Sequence, residues 1–221
     1  MGQKRKANQI LLNNNIIIYI MGAGILPVAI YKNQLYFLFG KERDRPLETA
    51  RGWADFGGGN DYKETDLSTA GREGAEELSG FLGNRNKIKN LLRKKKMTIK
   101  TDDNNYTTFI VPIDYDTNLP KYFNNQISFI NEYVDNYKLN NTTMYEKQEI
   151  KWYTISMLKN NKNKFREFYR EIINKIILHY DVLIKKFKKL RRTKTKKINY
   201  TQDNKTKKNR LRIVKLPNNN K

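Results

Sequence analysis

The sequence contains no cysteine among its 221 residues. This absence excludes a disulfide scaffold, a thiolate zinc site and a cysteine nucleophile. Because such a chain has no need of an oxidising compartment, we expect an intracellular, cytoplasmic location. Histidine is nearly absent too, since the only one is His179 in the apolar segment IILHY. We expect this lone histidine to pack against its neighbours rather than to take part in catalysis.

The chain also lacks a long apolar run. The best candidate, Ile16 to Ile30, is fifteen residues long and contains two glycines and Pro27, whereas a membrane-spanning helix needs roughly 20 apolar residues. We therefore predict two short buried strands there and no membrane partner. Hydrophobic residues make up 38% of the chain and the mean hydropathy is -0.83, which predicts one core with polar appendages.

Acidic residues are also scarce relative to basic ones. Against 44 Lys and Arg there are 22 Asp and Glu, for a net charge of +22. A charge of this size predicts an anionic partner such as nucleic acid or phosphorylated metabolites. Residues 181–221 alone hold 16 basic and 2 acidic residues, and so contribute +14 of the total.

Local patterns divide the chain into four parts. We predict a polar arm over residues 1–15, one domain over 16–160, a C-terminal helical part over 161–190 and a flexible basic tail over 191–221. The C-terminal part is predicted to be a single long helix from Phe165 to Leu190.

Inside the domain, β-rich runs precede and follow a helix predicted from Thr65 to Ser79, with Thr65 or Asp66 as its N-cap. Gly71 and Gly74 fall on one face of that helix, which predicts a close approach to a neighbouring sheet. This order of elements is compatible with an α/β fold.

The few acidic residues are gathered in one place, because six of them lie between Gly58 and Gly80. Glu73, Glu76 and Glu77 are spaced i, i+3 and i+4, so their carboxylates should converge on one side of the helix. Like charges at this spacing repel, but a hard cation such as Mg²⁺ or Mn²⁺ between them would offset the repulsion. The alternative is a solvated acidic face on an ordinary helix.

The surrounding spacing favours the cation. Gly58, Glu64, Arg72-Glu73 and Glu76-Glu77 follow the pattern G-x5-E-x7-R-E-U-x-E-E-x-G-U, with U apolar, and so resemble the signature of the Nudix hydrolase family. The segments MGAGILPVAIYKNQLYFLFGKER, GWADFGG and EKQEIKWYTISML resemble family strands, so the resemblance covers about residues 20 to 160. The chain departs from the pattern at four positions, Phe56, Lys63, Gly74 and Ser79, with Gly80 expected to serve as the helix C-cap one residue late.

The resemblance implies an α/β/α sandwich with a mixed β-sheet, to which the chain would add a helical, basic C-terminal extension. It implies hydrolysis of a phosphoanhydride with Mg²⁺ or Mn²⁺ as cofactor. The residues that it assigns to the metal are Glu73, Glu76 and Glu77, with the backbone of Gly58 approaching metal or phosphate. Arg72 would pair with a neighbouring glutamate, and Glu64 would orient the loop and the start of the helix. One further glutamate, Glu146 or Glu149, would act as a ligand or general base.

The signature leaves the substrate open. The chain also resembles, more loosely, the mRNA-decapping Nudix enzymes of large DNA viruses, which implies capped RNA as substrate, methylated GDP as product and, for a viral chain, the host cytoplasm as location. Lys41 and Arg43 are candidate phosphate contacts. Candidates for stacking on a guanine base are Trp53, Phe56, Tyr62 and Tyr106, although we prefer to interpret Trp53 and Phe56 as core residues of their strand. Candidate RNA-binding residues are Arg93, Lys94, Lys95, Lys96, Arg191 and Arg192.

Two alternatives stay open. The substrate could be a diphosphoinositol polyphosphate or another nucleoside diphosphate-linked compound, since these are dense anions too. In a different class, the chain could be an RNA-binding module on a Nudix scaffold without turnover, although the intact Arg72, Glu73, Glu76 and Glu77 argue against it. No protein partner can be inferred from the sequence.

Overall fold

The computed structural model describes residues 21–43, 51–140 and 145–191, together with the backbone of residues 10–12 and 16–18. The chain divides into two units, Met1–Tyr180 and Asp181–Lys221. In the second unit residues 181–191 are helical, and the rest of the predicted basic tail lies outside the described residues. Within the described part of the chain, no helix is long and apolar enough to cross a membrane.

The first unit is built on a mixed seven-stranded sheet. Its strands are β3 (Gly22–Tyr31), β4 (Gln34–Glu42), β5 (Trp53–Ala54), β6 (Phe56–Gly59), β7 (Met97–Lys100), β8 (Tyr106–Pro112) and β9 (Lys147–Thr154). Their order is β5-β4-β3-β8-β7, with β6 also paired to β3 and β9 to β4. The β3–β8 pair is parallel and the other pairs are antiparallel.

The N-terminal segments form a separate ladder. Strands β1 (Ile10–Leu12) and β2 (Ile16–Ile18) pair with each other in an antiparallel register. Strand β1 therefore lies within the stretch that we expected to be only a polar arm.

Helices cover both faces of the large sheet. They are α1 (Asp66–Glu77), α2 (Arg85–Lys95), α3 (Leu119–Tyr133), α4 (Asn136–Asn140), α5 (Ile155–Asn160) and α6 (Tyr169–Leu178). Successive side chains of a strand point to opposite faces, and β4 shows this clearly. Leu38 joins the core cluster that contains α1 and α3 residues, whereas Phe39 contacts the rings of Phe165 and Tyr169. The predicted α/β fold with a mixed sheet between helices is confirmed.

The C-terminal helix differs from the prediction. Instead of one helix from Phe165 to Leu190, a short 3-10 turn, Lys162–Lys164, precedes α6, which begins at Tyr169. Phe165 is 1% exposed and forms a β-bridge with Trp53, so its backbone follows the sheet. At its C-terminal end α6 stops at Leu178, and the C-cap His179 donates its N–H to the Lys175 carbonyl. The apolar periodicity of the sequence shows neither the late start nor the early end of this helix.

The helix that carries the acidic cluster starts and ends by local chemistry. Thr65 caps α1 by accepting a hydrogen bond from the Ser68 N–H at 3.3 Å. At the C-terminus Ser79 adopts a left-handed φ of 49°, and the Gly80 N–H donates to the Ala75 carbonyl at 3.0 Å. This is a Schellman ending with serine at the left-handed position, so the expected shift of the cap to Gly80 is corrected.

The two glycines of α1 face different neighbours. A Cβ on Gly74 would lie 2.5 Å from Ile25 Cδ1 in β3, which confirms the predicted close approach to the sheet. A Cβ on Gly71 would instead lie 2.7 Å from Lys89 Cγ in α2. Gly71 therefore makes room for a neighbouring helix, and the prediction that it faces the sheet is wrong.

Candidate active site

The loop between β6 and α1 is organised by the carboxylate of Glu64. Its Oε2 accepts hydrogen bonds from the Asp61 N–H at 3.3 Å and the Thr69 hydroxyl at 3.0 Å. Its Oε1 accepts from the Ser68 hydroxyl at 3.2 Å and from Arg85 Nη2 of α2 at 2.8 Å. Glu64 thus joins the loop, the first turn of α1 and the start of α2.

Arg72 connects this loop to the acidic face of α1. Its Nη2 lies 2.8 Å from Glu64 Oε2 and donates to the Gly59 carbonyl at 3.1 Å, while its Nη1 donates to Glu73 Oε1 at 2.5 Å. Burial alone would raise the pKa of Glu64, but the hydrogen bonds and charge of Arg72 outweigh it and lower that pKa to about 2. Arg72 therefore holds two carboxylates at once.

Gly58 provides the space for one of these carboxylates. A Cβ at this position would lie 2.5 Å from Glu73 Oε1 and 2.8 Å from Glu73 Cδ. Such distances are shorter than van der Waals contact, so any side chain here would displace the Glu73 carboxylate. The close approach implied for Gly58 is thus made to Glu73 itself.

The last glutamate of the helix has a different partner. Glu77 is 2% exposed, and its Oε2 lies 3.3 Å from the ammonium nitrogen of Lys147. The same ammonium forms a short ion pair with Glu42 Oε1, which also contacts Arg166 Nη1 at 2.9 Å. Burial raises the pKa of Glu77 well above its usual range, and the nearby carboxylates of Glu42, Glu73 and Glu146 raise it further against the opposing charge of Lys147.

Lys147 and Glu42 are not among the site residues predicted from the sequence. Each is a charged residue near the end of an apolar strand, where a position on the surface is the usual expectation. The only hint was the alternation in EKQEIKW, and it does not show which way Lys147 points.

The donor set fits a hard cation in its chemistry. Helix α1 supplies three carboxylates, Glu77 Oε2 is buried and accepts no hydrogen bond, and Gly58 leaves room for the Glu73 carboxylate. The side chains do not form a ready-made cluster, because within the described ranges no group of three or more acidic or histidine residues could hold a metal ion as it stands. Glu73 faces Arg72, Glu77 faces Lys147, and the 33%-exposed side chain of Glu76 has an oxygen 4.0 Å from Arg72 Nη1. The three carboxylates thus have different partners, and their joint role as metal ligands stays a prediction.

The two candidates for an additional glutamate lie in different surroundings. Glu146 precedes β9 and is one of the charges that raise the pKa of Glu77. Glu149 lies in β9 opposite Lys41. The pKa of Tyr153 is raised mainly because the side chain is buried, and the charge of Glu149 raises it further. Tyr153 contacts Phe39, Trp53 and Phe165, away from α1. The surroundings of Glu146 are therefore those of the acidic cluster, and a catalytic role for it stays a prediction.

Three of the four aromatic candidates are buried in the core and cannot stack on a base. Phe56 is fully buried, and Trp53 is 6% exposed with its ring against Tyr153, so the alternative reading of both is confirmed. Tyr106 is also buried, and its hydroxyl donates to Asp55 at 2.6 Å. Tyr62 differs, because it is 89% exposed in the loop just before Glu64.

The predicted phosphate contacts lie near the end of β4. Lys41 is half-buried and pairs across the sheet with Glu149 and Trp53. Arg43 donates to the Tyr145 carbonyl at 3.0 Å and to Asn131 Oδ1 at 2.6 Å, so it joins β4 to the segment before β9 and to α3. A role for either in binding phosphate stays a prediction.

The predicted RNA-binding residues fall on two separate segments. Arg93 is exposed on α2, Lys96 follows that helix with its ammonium 4.8 Å from the centre of the Phe109 ring, and Lys94 and Lys95 lie between them along the helix. Arg191 is the last described residue of the second unit, and Arg192 lies outside the described residues.

Comparison with known proteins gives structural similarities only. No protein-family model matches the chain, and no curated protein sequence matches it significantly. The structure is similar to that of the Nudix hydrolase RenU from M. smegmatis, with 14% identity and a TM-score of 0.46 over 79% of this chain and 96% of that one. A mutT/nudix family protein from Listeria innocua has 12% identity and a TM-score of 0.42 over 76% and 96%.

A third similar structure is that of the Ap4A hydrolase from C. elegans, with 15% identity and a TM-score of 0.38 over 63% of this chain and 83% of that one. At such identities and TM-scores these similarities carry no argument about activity.

Proposed function

We propose that the chain is a hydrolase of the Nudix type, which cleaves a phosphoanhydride bond with a divalent metal ion. One observation carries this proposal. Four residues of the spaced signature meet in the structure, because Arg72 is bonded to both Glu64 and Glu73, and Gly58 leaves room for the Glu73 carboxylate. A merely solvated acidic face would need neither the shared arginine nor the glycine beside it.

Glu73, Glu76 and Glu77 are the residues that would hold Mg²⁺ or Mn²⁺. A bound ion would supply positive charge to offset that of the phosphate oxygens. The chain itself would keep Glu73 in position through Arg72 and Gly58, and would hold the loop through Glu64. Glu146 is the favoured general base for the attacking water, because its charge acts on Glu77.

We propose capped RNA as the substrate, with methylated GDP as the product. Helix α2 contains no acidic residue and follows α1 directly, so its exposed basic side chains could hold the RNA phosphates. The exposed ring of Tyr62, at the edge of the Glu64 loop, could stack on the guanine base. The net charge of +22 favours a long polyanion as substrate.

The test uses RNA with a ³²P-labelled cap, the purified full chain and Mg²⁺ or Mn²⁺. Wild type is compared with Glu76→Gln and with the matched control Glu132→Gln, which removes the same charge from the exposed surface of α3. We expect wild type and Glu132→Gln to release methylated GDP, and Glu76→Gln to be slower by roughly a hundredfold or more, since even residues that only support a metal ligand are worth 10- to 100-fold in affinity or activity. Equal rates for the three proteins would contradict the proposed metal site.

Substrate controls run alongside distinguish the alternatives. Release of phosphate from diphosphoinositol or nucleoside diphosphate-linked substrates, with capped RNA untouched, would keep the hydrolase and discard decapping. Salt-sensitive RNA binding without turnover of any substrate would favour the non-catalytic module. For the RNA contact itself, Arg93→Gln should weaken binding and reduce its salt dependence by about one phosphate contact.

A further inference from the structure

Lys147 is a lysine with a fully buried side chain, at 0% exposed. An ammonium group without water is strongly unfavourable unless carboxylates and hydrogen bonds surround it. Here the partners are Glu42, at short ion-pair distance, and Glu77, whose Oε2 is 3.3 Å away. Lys147 is therefore a fixed positive charge between the end of β4 and the end of α1.

The sheet is shaped to bring this lysine to the site. Between Lys41 and Glu42 the β4–β9 register shifts, so that Glu42 pairs with Lys147 and Gln148 is the additional residue. A bulge of this kind changes the face to which the following side chain points. It turns Lys147 toward α1 at the point where Glu77 ends the helix.

Gly40 leaves the space that the aliphatic part of the Lys147 side chain fills. A Cβ on Gly40 would lie 2.9 Å from Lys147 Cδ and also 2.9 Å from Phe56 Cε1. The aliphatic part of Lys147 thus fills the place of a side chain at position 40, against the core. The position of the Lys147 ammonium is therefore specified in three ways. The bulge sets the direction of the side chain, Gly40 leaves space for its aliphatic part, and the carboxylates of Glu42 and Glu77 pair with its charge.

The charged groups around Glu77 show why an ammonium is needed at the position of Lys147. Glu42, Glu73 and Glu146 are the acidic groups that act on Glu77, and Lys147 is the cation that opposes them. Arg166 Nη1 contacts the same Glu42 oxygen as Lys147, at 2.9 Å. Without the lysine, Glu42 and Glu77 would face each other across a buried space with oxygen donors on both sides.

We infer that Lys147 is a positioning residue of the proposed hydrolase, a resident cation that fixes the Glu77 carboxylate and occupies the place a divalent ion would otherwise take between Glu42 and Glu77. The ions of the reaction are then held by Glu73, Glu76 and Glu77, and none lies between Glu42 and Glu77. This inference rests on the proposed function, because it assigns Glu77 to the metal site.

The test counts bound Mn²⁺ on the full chain by electron paramagnetic resonance, without substrate. Lys147→Met keeps the length of the side chain and removes its charge, and we expect it to bind about one more Mn²⁺ ion per chain than wild type, because two facing carboxylates attract a hard cation. Lys147→Arg keeps the charge and should bind the wild-type number. The double variant Lys147→Met/Glu42→Gln removes the second carboxylate and should also return to the wild-type number.

A second variant covers the case in which Lys147→Met does not fold. Glu42→Gln leaves Lys147 with Glu77 as its remaining anionic partner, so the ammonium should compete more strongly with metal. We expect its Mn²⁺ dissociation constant to rise roughly tenfold, within the range found for residues that support metal ligands. An unchanged constant, or an equal number of ions on Lys147→Met and wild type, would overturn the inference.

The same titration separates this inference from the proposed function. Mn²⁺ binding by wild type with an additional ion on Lys147→Met, but no hydrolysis of any substrate, would uphold the resident cation and reject the hydrolase. Hydrolysis by wild type with the same ion count on both proteins would uphold the hydrolase and reject the resident cation. Absence of Mn²⁺ binding by every variant would reject both.

Discussion

Two glutamates one turn apart on α1 are neutralised in different ways. Glu73 is bonded to Arg72, its neighbour in the chain, and the loop residue Glu64 shares the same guanidinium. Glu77 instead meets Lys147, which arrives from the last strand of the sheet through a bulge. Each pair has its own glycine, Gly58 beside Glu73 and Gly40 beside Lys147. We call Arg72, Glu64 and Glu73 the arginine cluster, and Lys147, Glu42 and Glu77 the lysine cluster.

The comparison shows that one acidic helix can be supported by local and by non-local contacts at the same time. The arginine cluster also borders water, since Asp61, 3.4 Å from Arg72 Nε, is 65% exposed. The clusters differ in this solvated partner more than in burial, because Arg72 and Glu64 are 11% and 8% exposed and the side chains of the lysine cluster are at most 9% exposed. We therefore expect the two clusters to differ in their contributions to stability.

The largest expected effect is that of Lys147→Met in metal-free buffer. Removal of one partner from a buried ion pair costs about 3–5 kcal/mol of unfolding free energy, because Glu77 loses its counter-charge. Arg72→Met should cost less, roughly 1–3 kcal/mol, since it removes charge-assisted hydrogen bonds near water. Urea unfolding followed by the fluorescence of Trp53 and Trp152, both buried, measures the two values. Equal losses would remove the distinction between the clusters.

The two supporting glycines should differ in a parallel way. Gly40→Ala forces a methyl group against Lys147 and the core ring of Phe56, and overpacking of this kind costs about 1–3 kcal/mol of unfolding free energy. Gly58→Ala pushes only on the Glu73 carboxylate, so its main effect should be on metal affinity and hydrolysis. The same urea series and a Mn²⁺ titration give both readouts. A larger loss of stability for Gly58→Ala than for Gly40→Ala would contradict the assignment.

The pH dependence of stability should distinguish the clusters next. The pKa of Glu64 is lowered from 4.5 to about 2, so its contribution is complete above pH 4.5 and is lost as the pH falls toward 2. Glu64→Gln should therefore destabilise the protein more at pH 6 than at pH 3, by urea unfolding. No loss in this window is expected from Glu77, whose pKa is raised. A pH-independent effect of Glu64→Gln would show that its charge does not stabilise the fold.

The smallest effect concerns the end of the helix that carries Glu77. Ser79 holds a left-handed φ of 49°, a conformation that costs a residue with a Cβ roughly 1 kcal/mol or more. Ser79→Gly should raise the unfolding free energy by about 1 kcal/mol, and Ser79→Ala should not. A gain from both variants would point to the serine hydroxyl instead of the backbone as the source of strain.

The acidic loop and helix could be predicted from the sequence because their contacts are local. Thr65 caps the helix that it precedes, and Arg72 reaches carboxylates one and eight positions away. The close approach of Gly74 to the sheet followed from the same spacing. The α/β class followed from the order of strand-like and helix-like segments.

Other features required three-dimensional information. Tyr62 is exposed, whereas Trp53 and Phe56 are buried. The sequence does not show this difference, because an aromatic residue can face either a ligand or the core. Gly71 shares the helical face of Gly74 yet meets α2, because the position of a second helix depends on the whole layer.

By itself the sequence determined the acidic helix and limited its N-cap to Thr65 or Asp66, since both depend on residues within one loop and one helix. The resemblance of the signature implied that Arg72 pairs with a neighbouring glutamate. Only the tertiary structure decided that Lys147 would complete the other end. Its position depends on the register of β9 against β4, and a shift of one residue at the bulge would turn its side chain to the opposite face of the sheet.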